Sequence, residues 1–204
     1  MGEKAWASAL AERLEAELNE ASAGPGHQLQ VRPGRKLLYA NEVVRYAPNS
    51  LNAKDRSEAK YETDILVLDV APDESWIPRV VIETKLGQVT THDALTYSTK
   101  AWTHRHVHPY LRYGVLVGGL GSSLPPRLLR HGAHFDFMLV WPREQPSDGE
   151  FRELVDLLTY EIETSRRLGV FLSRSAGGER FRLLHRRLEF TRSGEPSSSN
   201  DHEE

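Results

Sequence analysis

The chain has 204 residues, of which 39% are hydrophobic and 27% charged, with a formal net charge of −3 and no cysteine. That length suits one domain burying roughly 70% of its unfolded surface, and the missing cysteine excludes disulfides, thiolate zinc sites and cysteine nucleophiles. No apolar run reaches the roughly 18 residues of a membrane span, and the segment from Met1 to Trp6 lacks a signal-peptide core, so a cytoplasmic protein with no membrane partner is expected.

In chain order, Trp6, Leu10, Leu14 and Leu18 recur every four residues and predict an amphipathic helix over 3–20. Residues 28–46 read as extended, with a turn at Pro33-Gly34, and a polar loop is expected from Pro48 to Lys60. Strands are predicted at 62–70 and 79–86. Thr90 or Thr91 can cap a helix running to about His106. A buried strand at 113–119, a short helix at 125–131 opened by Pro125-Pro126, and a strand at 135–141 follow. Phe151, Leu154, Leu158 and Ile162 mark a long helix ending near Gly169, and 170–190 reads as a hairpin. From Ser193 the composition predicts disorder. The order implies a mixed sheet with helices on its faces, in one domain over 1–190 with an acidic tail at 191–204. That tail sets Arg192 against four acids, so the body is neutral and nucleic-acid binding would rest on local basic patches.

The most informative segment is 61–87, where Asp64, Glu83 and Lys85 lie inside the two strands that read as the most apolar. Buried charges need partners, and a hard divalent cation with a phosphate beside it suits this set. Glu-x-Lys alone is a poor signal, since Glu58-Ala59-Lys60 also fits it within the expected loop. Glu83-Thr84-Lys85 differs by ending an apolar strand. Alternation puts Arg79, Val81, Glu83 and Lys85 on one face, and Glu62, Asp64, Leu66 and Leu68 on one face of the preceding strand. The short connection at 71–78 predicts an antiparallel pair, which would bring Asp64 to Glu83 and Lys85. An exposed hairpin with a surface Glu–Lys pair is the competing reading.

Asp64 and Glu83-Thr84-Lys85, preceded by a helix and followed by helix, strand, helix, strand, resemble the PD-(D/E)xK nuclease superfamily, with its restriction-endonuclease-like α/β fold, over about residues 3–141. Thr63 stands where some members carry proline. The resemblance implies a Mg²⁺-dependent deoxyribonuclease, with Mn²⁺ as a substitute. Asp64, Glu83 and the Thr84 carbonyl would hold the metal, and Lys85 would orient or deprotonate water or stabilise the phosphate. A restriction-type endonuclease acting on DNA as a homodimer is the expected role. A silent nuclease-like binding module and a repair or RNA nuclease are the alternatives.

Glu3 precedes the first-helix stripe and is an auxiliary candidate by the same resemblance, whereas Glu17 reads as a stripe-edge residue. Glu62 shares the face of Asp64 and is a candidate second metal ligand. His104, His106 and His108 sit at a helix end, where a spacing of two spreads them around the axis and disfavours a metal site. Tyr97 and Lys100, with Asp93 nearby, read as an ordinary solvated face. Basic patches at 32–36, 54–60 and 180–187 are candidate phosphate contacts.

Overall fold

A computed structural model of the protein describes residues 2–21, 28–121 and 123–173. Its elements are α1 (Glu3–Ala21), β1 (Gln28–Pro33), β2 (Lys36–Tyr46), β3 (Ala53–Glu62), β4 (Ile65–Val70), β5 (Trp76–Leu86), α2 (Thr91–Val107), β6 (Arg112–Gly118), α3 (Pro126–His131), β7 (Phe137–Trp141) and α4 (Asp148–Ser173). A mixed five-stranded sheet runs β1-β4-β5-β6-β7, and β2 and β3 form a separate two-stranded sheet. The neighbours β1–β4 and β4–β5 are antiparallel, whereas β5–β6 and β6–β7 are parallel. Parallel neighbours need a crossover; α2 supplies the first and α3 lies in the second.

Side chains of the central strands alternate between two helical layers. Ile65, Val67, Val80 and Ile82 pack with Trp6, Leu10, Leu14 and Leu18 of α1 and with Phe151, Leu154, Leu158 and Ile162 of α4. Leu66, Leu68, Val81, Val115 and Val117 face the other way, onto Ala94 and Ala101 of α2. Strands covered on both faces read as continuous apolar runs, which is the pattern of β4 to β6. The α2 start is set by a capping box, in which the Thr90 side chain accepts from Asp93 N and the Asp93 side chain accepts from Thr90 N.

Several boundaries differ from expectation: β5 starts at Trp76 rather than Arg79, β7 starts at Phe137 rather than Phe135, and three differences are larger in consequence. Residues 53–60 are not loop but most of β3, whose polar side chains alternate only between half-buried and exposed and bury no apolar residue that would reveal a strand. The expected strand at 62–70 is divided, with β3 ending at Glu62 and β4 starting at Ile65. Residues 170–173 continue α4 rather than opening a hairpin; the rest of that hairpin and the acidic tail lie outside the described residues.

Arg79 also departs from simple alternation. The β4–β5 register slips between Val67 and Leu68, so Val80 pairs with Val67 while Pro78 pairs with Leu68. The extra residue is Arg79, and a bulge of this kind reverses the phase of alternation. Arg79 therefore turns to the α4 layer rather than to the face of Glu83, and its Nε donates to Asp69 Oδ2 at 2.7 Å. Arg166 of α4 donates to both oxygens of the same carboxylate, at 2.6 and 3.1 Å. Burial pushes the Asp69 carboxyl up, but the bonds from Arg166 and Arg79 outweigh it and hold it below its ordinary value. The resulting stability is present above the unfolded carboxylate range and is lost as pH falls through the depressed value. Asp69→Ala would leave two guanidinium groups around a buried vacancy. It should lower unfolding stability by about 3–5 kcal/mol in urea denaturation at pH 7, and a loss under about 1 kcal/mol would refute the pinning of α4 by this cluster.

Candidate functional site

The β4–β5 register pairs Ile65 with Ile82, and one step further sets Asp64 across from Glu83. Asp64 lies in the joint before β4, so the Thr84 amide finds no ladder partner there. It donates instead to Asp64 Oδ2 at 2.7 Å, with Thr84 Oγ1 at 3.2 Å from the same oxygen. This joint is fixed at its start by Thr63, whose amide and hydroxyl both donate to the Arg35 carbonyl.

Glu83 has no exposed surface. Its carboxylate accepts from Lys100 Nζ at 3.2 Å on each oxygen and from the Tyr113 hydroxyl on Oε1. Tyr113 stands on β6 beside β5, and Lys100 reaches in from α2, where its ammonium also donates to the Glu62 carbonyl at 3.2 Å. Burial pushes the Glu83 carboxyl up to about 7; Lys100 opposes the shift, and the Asp64 charge adds to it. Two carboxylates on one sheet end are thus close enough to repel.

Lys85, two residues further along β5, turns to the first turn of α1. Its Nζ lies 3.0 Å from Glu3 Oε1 and 3.9 Å from Asp93 Oδ1. Glu3 Oε1 also accepts from Leu86 N at 3.2 Å, which ties the helix start to the strand end. The hydrogen bond that Lys85 donates to Glu3 chiefly raises its ammonium above the ordinary value, so Lys85 is charged at neutral pH. Tyr97 of α2 lies among these acids: burial first, then Asp64, Glu83, Asp93 and Glu3, push its hydroxyl well above the usual range.

The structure therefore brings together Asp64, Glu83, Lys85 and Glu3, and adds Asp93, Tyr97, Lys100 and Tyr113. Glu62 is placed at the rim, where its half-exposed carboxylate lies 3.2 Å from Lys4 Nζ. The three histidines do not converge as a set, although His104 and His108 both turn to the Leu38 carbonyl. His104 is buried with Nδ1 3.2 Å from the Leu38 carbonyl, its imidazole pushed by burial down to about 4, while His106 is exposed and pairs with the Trp102 carbonyl. The decoy Glu58–Lys60 pair is a half-exposed 3.1 Å ion pair on β3.

Lys100, expected on a solvated face, instead reaches Glu83, and Tyr113 is a site residue that the sequence reading does not name; a signal existed for both. Asp93, Tyr97, Lys100 and His104 recur at three- and four-residue spacing, a polar stripe beside the buried small residues Ala94, Ser98 and Ala101. Tyr113 places the one hydroxyl in the otherwise apolar stretch of β6 after Arg112.

Among the described residues, no group of three or more His, Asp or Glu side chains converges as a ready-made metal cage. The chemistry of the donors still suits one ion class. Four carboxylates (Glu3, Asp64, Glu83, Asp93) face two ammonium groups, Lys85 and Lys100, leaving an excess of negative charge around a buried carboxylate. Mg²⁺ takes oxygen ligands and needs only one or two carboxylates, because it keeps several waters. No protein-family model matches the chain, and no curated protein matches it.

The raised Glu83 carboxyl has a thermodynamic signature without metal. Between the unfolded value of 4.5 and about 7 the folded protein holds a proton that the unfolded chain releases, so stability falls as pH rises through that window. Glu83→Gln removes the titration. Its melting temperature should match that of wild type near pH 5 and exceed it above pH 7 in EDTA. Parallel pH profiles would show that Glu83 titrates at an ordinary value.

Proposed function

We propose that this protein is a Mg²⁺-dependent deoxyribonuclease of the PD-(D/E)xK kind, with a restriction-endonuclease-like fold, cutting DNA phosphodiester bonds as a restriction-type endonuclease. The observation that carries this reading is the register that sets Asp64 across from Glu83 at the sheet end where Lys85 emerges. The order helix, antiparallel meander, helix, parallel strand in α1, β1, β4, β5, α2 and β6 supports it.

Asp64, Glu83 and the Thr84 carbonyl would hold the ion, with waters completing its shell. When bound, it would polarise the scissile phosphate and lower the pKa of an attacking water. The protein's own residues perform the remaining tasks. Thr84 N fixes the Asp64 carboxylate by a direct hydrogen bond. Tyr113 and Lys100 hold Glu83 in one orientation on the buried side. Lys85 carries its proton at neutral pH, so it serves as a donor to a phosphate oxygen or to the attacking water rather than as a base. Glu3 aims that ammonium from the helix start. Cutting both strands calls for two such sites, which a homodimer would supply.

One observation favours a second reading. Lys100 engages both oxygens of Glu83, so an internal cation already neutralises this carboxylate. A catalytically silent nucleic-acid-binding module would keep that arrangement permanently.

One assay separates the two. Supercoiled plasmid with Mg²⁺ should be cut by wild type, and Asp64→Ala and Lys85→Ala should each lower the rate at least about 100-fold. Equal behaviour of all three proteins across DNA and RNA substrates would end the nuclease reading. Discrete fragments from long DNA would support the restriction role, and a smear would replace it with nonspecific cleavage.

A further inference from the structure

The sheet of β2 and β3 has little reason to stand in water on hydrophobic grounds alone. No side chain of 41–46 or 53–58 is buried, and Val43, Val44, Tyr46 and the tip residue Leu51 are exposed. A two-stranded hairpin is marginally stable by itself. This one is anchored at its root, where Leu37 joins the core, Tyr39 stacks on Tyr61 at 3.8 Å, and His104 meets the Leu38 carbonyl. The outer half stands clear of the body.

The root adjoins the candidate site. Glu62 ends β3 two residues before Asp64, and its carbonyl accepts from the same Lys100 that holds Glu83. Register and alternation put Lys36, Arg56 and Lys60 on one face together with Glu58 and Glu62, with Lys54 beside them toward the tip, so that face keeps a positive excess. Glu58 pairs with Lys60, and Asp55 pairs with Arg45. Lys36, Lys54 and Arg56 make no ion pair among the described residues. Register shifts at Leu38/Ala40, Val43/Arg45 and Arg45/Tyr46 interrupt the ladder and sharpen its twist.

We propose that the β2–β3 ribbon is the arm by which this protein holds duplex DNA, lying in the major groove with Lys36, Lys54 and Arg56 on phosphates. The inference rests on the nuclease reading and names the substrate class of that site. The size fits: the 11 residues of β2 span roughly 35 Å, and a major groove about 12 Å wide admits a two-stranded ribbon. Three unpaired cations complement the phosphates, and the exposed Val43, Val44 and Tyr46 offer contacts to thymine methyls and base edges. Duplex RNA has a deep, narrow major groove that refuses such an arm.

The test uses the full chain, in EDTA, with a fluorescent DNA duplex of about two helical turns. The triple variant Lys36→Ala/Lys54→Ala/Arg56→Ala should bind at least about tenfold more weakly near 0.1 M salt, and its slope of log K against log salt should shrink by about 2–3. The double variant Lys54→Ala/Arg56→Ala, altered only on the free half, should show about two thirds of that slope change, and both should melt as wild type does. Duplex RNA should compete poorly. Unchanged affinity and slope in the triple variant, or equal competition by duplex RNA, would overturn the inference. Plasmid cleavage run in parallel keeps the two readings apart. Cleavage by wild type with unaltered binding by the triple variant removes the arm and leaves the nuclease. No cleavage, with binding lost in the triple variant, keeps the arm and removes the nuclease.

Discussion

Glu83 is a carboxylate with no exposed surface on the middle strand of the five-stranded sheet, and the surroundings of the candidate site are arranged around that charge. An isolated buried carboxylate is costly, and it escapes the cost by binding a proton or by gaining partners. Here both happen. Tyr113 and Lys100 hold the oxygens, yet burial and the neighbouring Asp64 charge still push the carboxyl up to about 7. The site therefore stands at neutral pH with a carboxyl group whose proton a bound cation would readily displace to solvent. A divalent ion shared with Asp64 is the chemistry that such a pair suits.

The fold serves this site by bringing sequence-distant pieces to one sheet end. The antiparallel return of β4 against β5 sets Asp64 opposite Glu83. The parallel step to β6 brings Tyr113, and the crossover that this step requires is α2, the source of Asp93, Tyr97 and Lys100. Helix α1 packs its apolar stripe on the opposite face and delivers Glu3 at its first turn to Lys85. On the α4 side, Asp69, Arg79 and Arg166 form a second buried charge cluster that is structural, since its charges satisfy one another.

Much of this was legible in the residues. Uninterrupted apolar runs located β4, β5 and β6, the four-residue stripe located α1, and a threonine cap at Thr90 or Thr91 located the start of α2. The antiparallel return followed from the short 71–78 connection. The strand β3 escaped because it lies in solvent, where neither periodicity nor hydrophobicity marks a strand. Arg79 lies on the other face because a bulge resets alternation, and the one sign of that bulge is Pro78, which cannot donate to a ladder. Lys100 looked like solvated surface because a polar stripe on a helix suits water as well as it suits a buried charge. Only the packing of α2 through its small residues Ala94, Ser98 and Ala101 shows that Lys100 reaches the sheet.

The shared cation is tested most directly by calorimetric titration of Mg²⁺ into the protein at pH 7 in two buffers of different ionisation enthalpy, which counts the protons released. With the Glu83 carboxyl near 7, binding between Asp64 and Glu83 should release about half a proton per ion, and Glu83→Gln should release none. Mg²⁺ binding with no proton release, or with the same release from Glu83→Gln, would place the ion away from Glu83 and contradict the assignment.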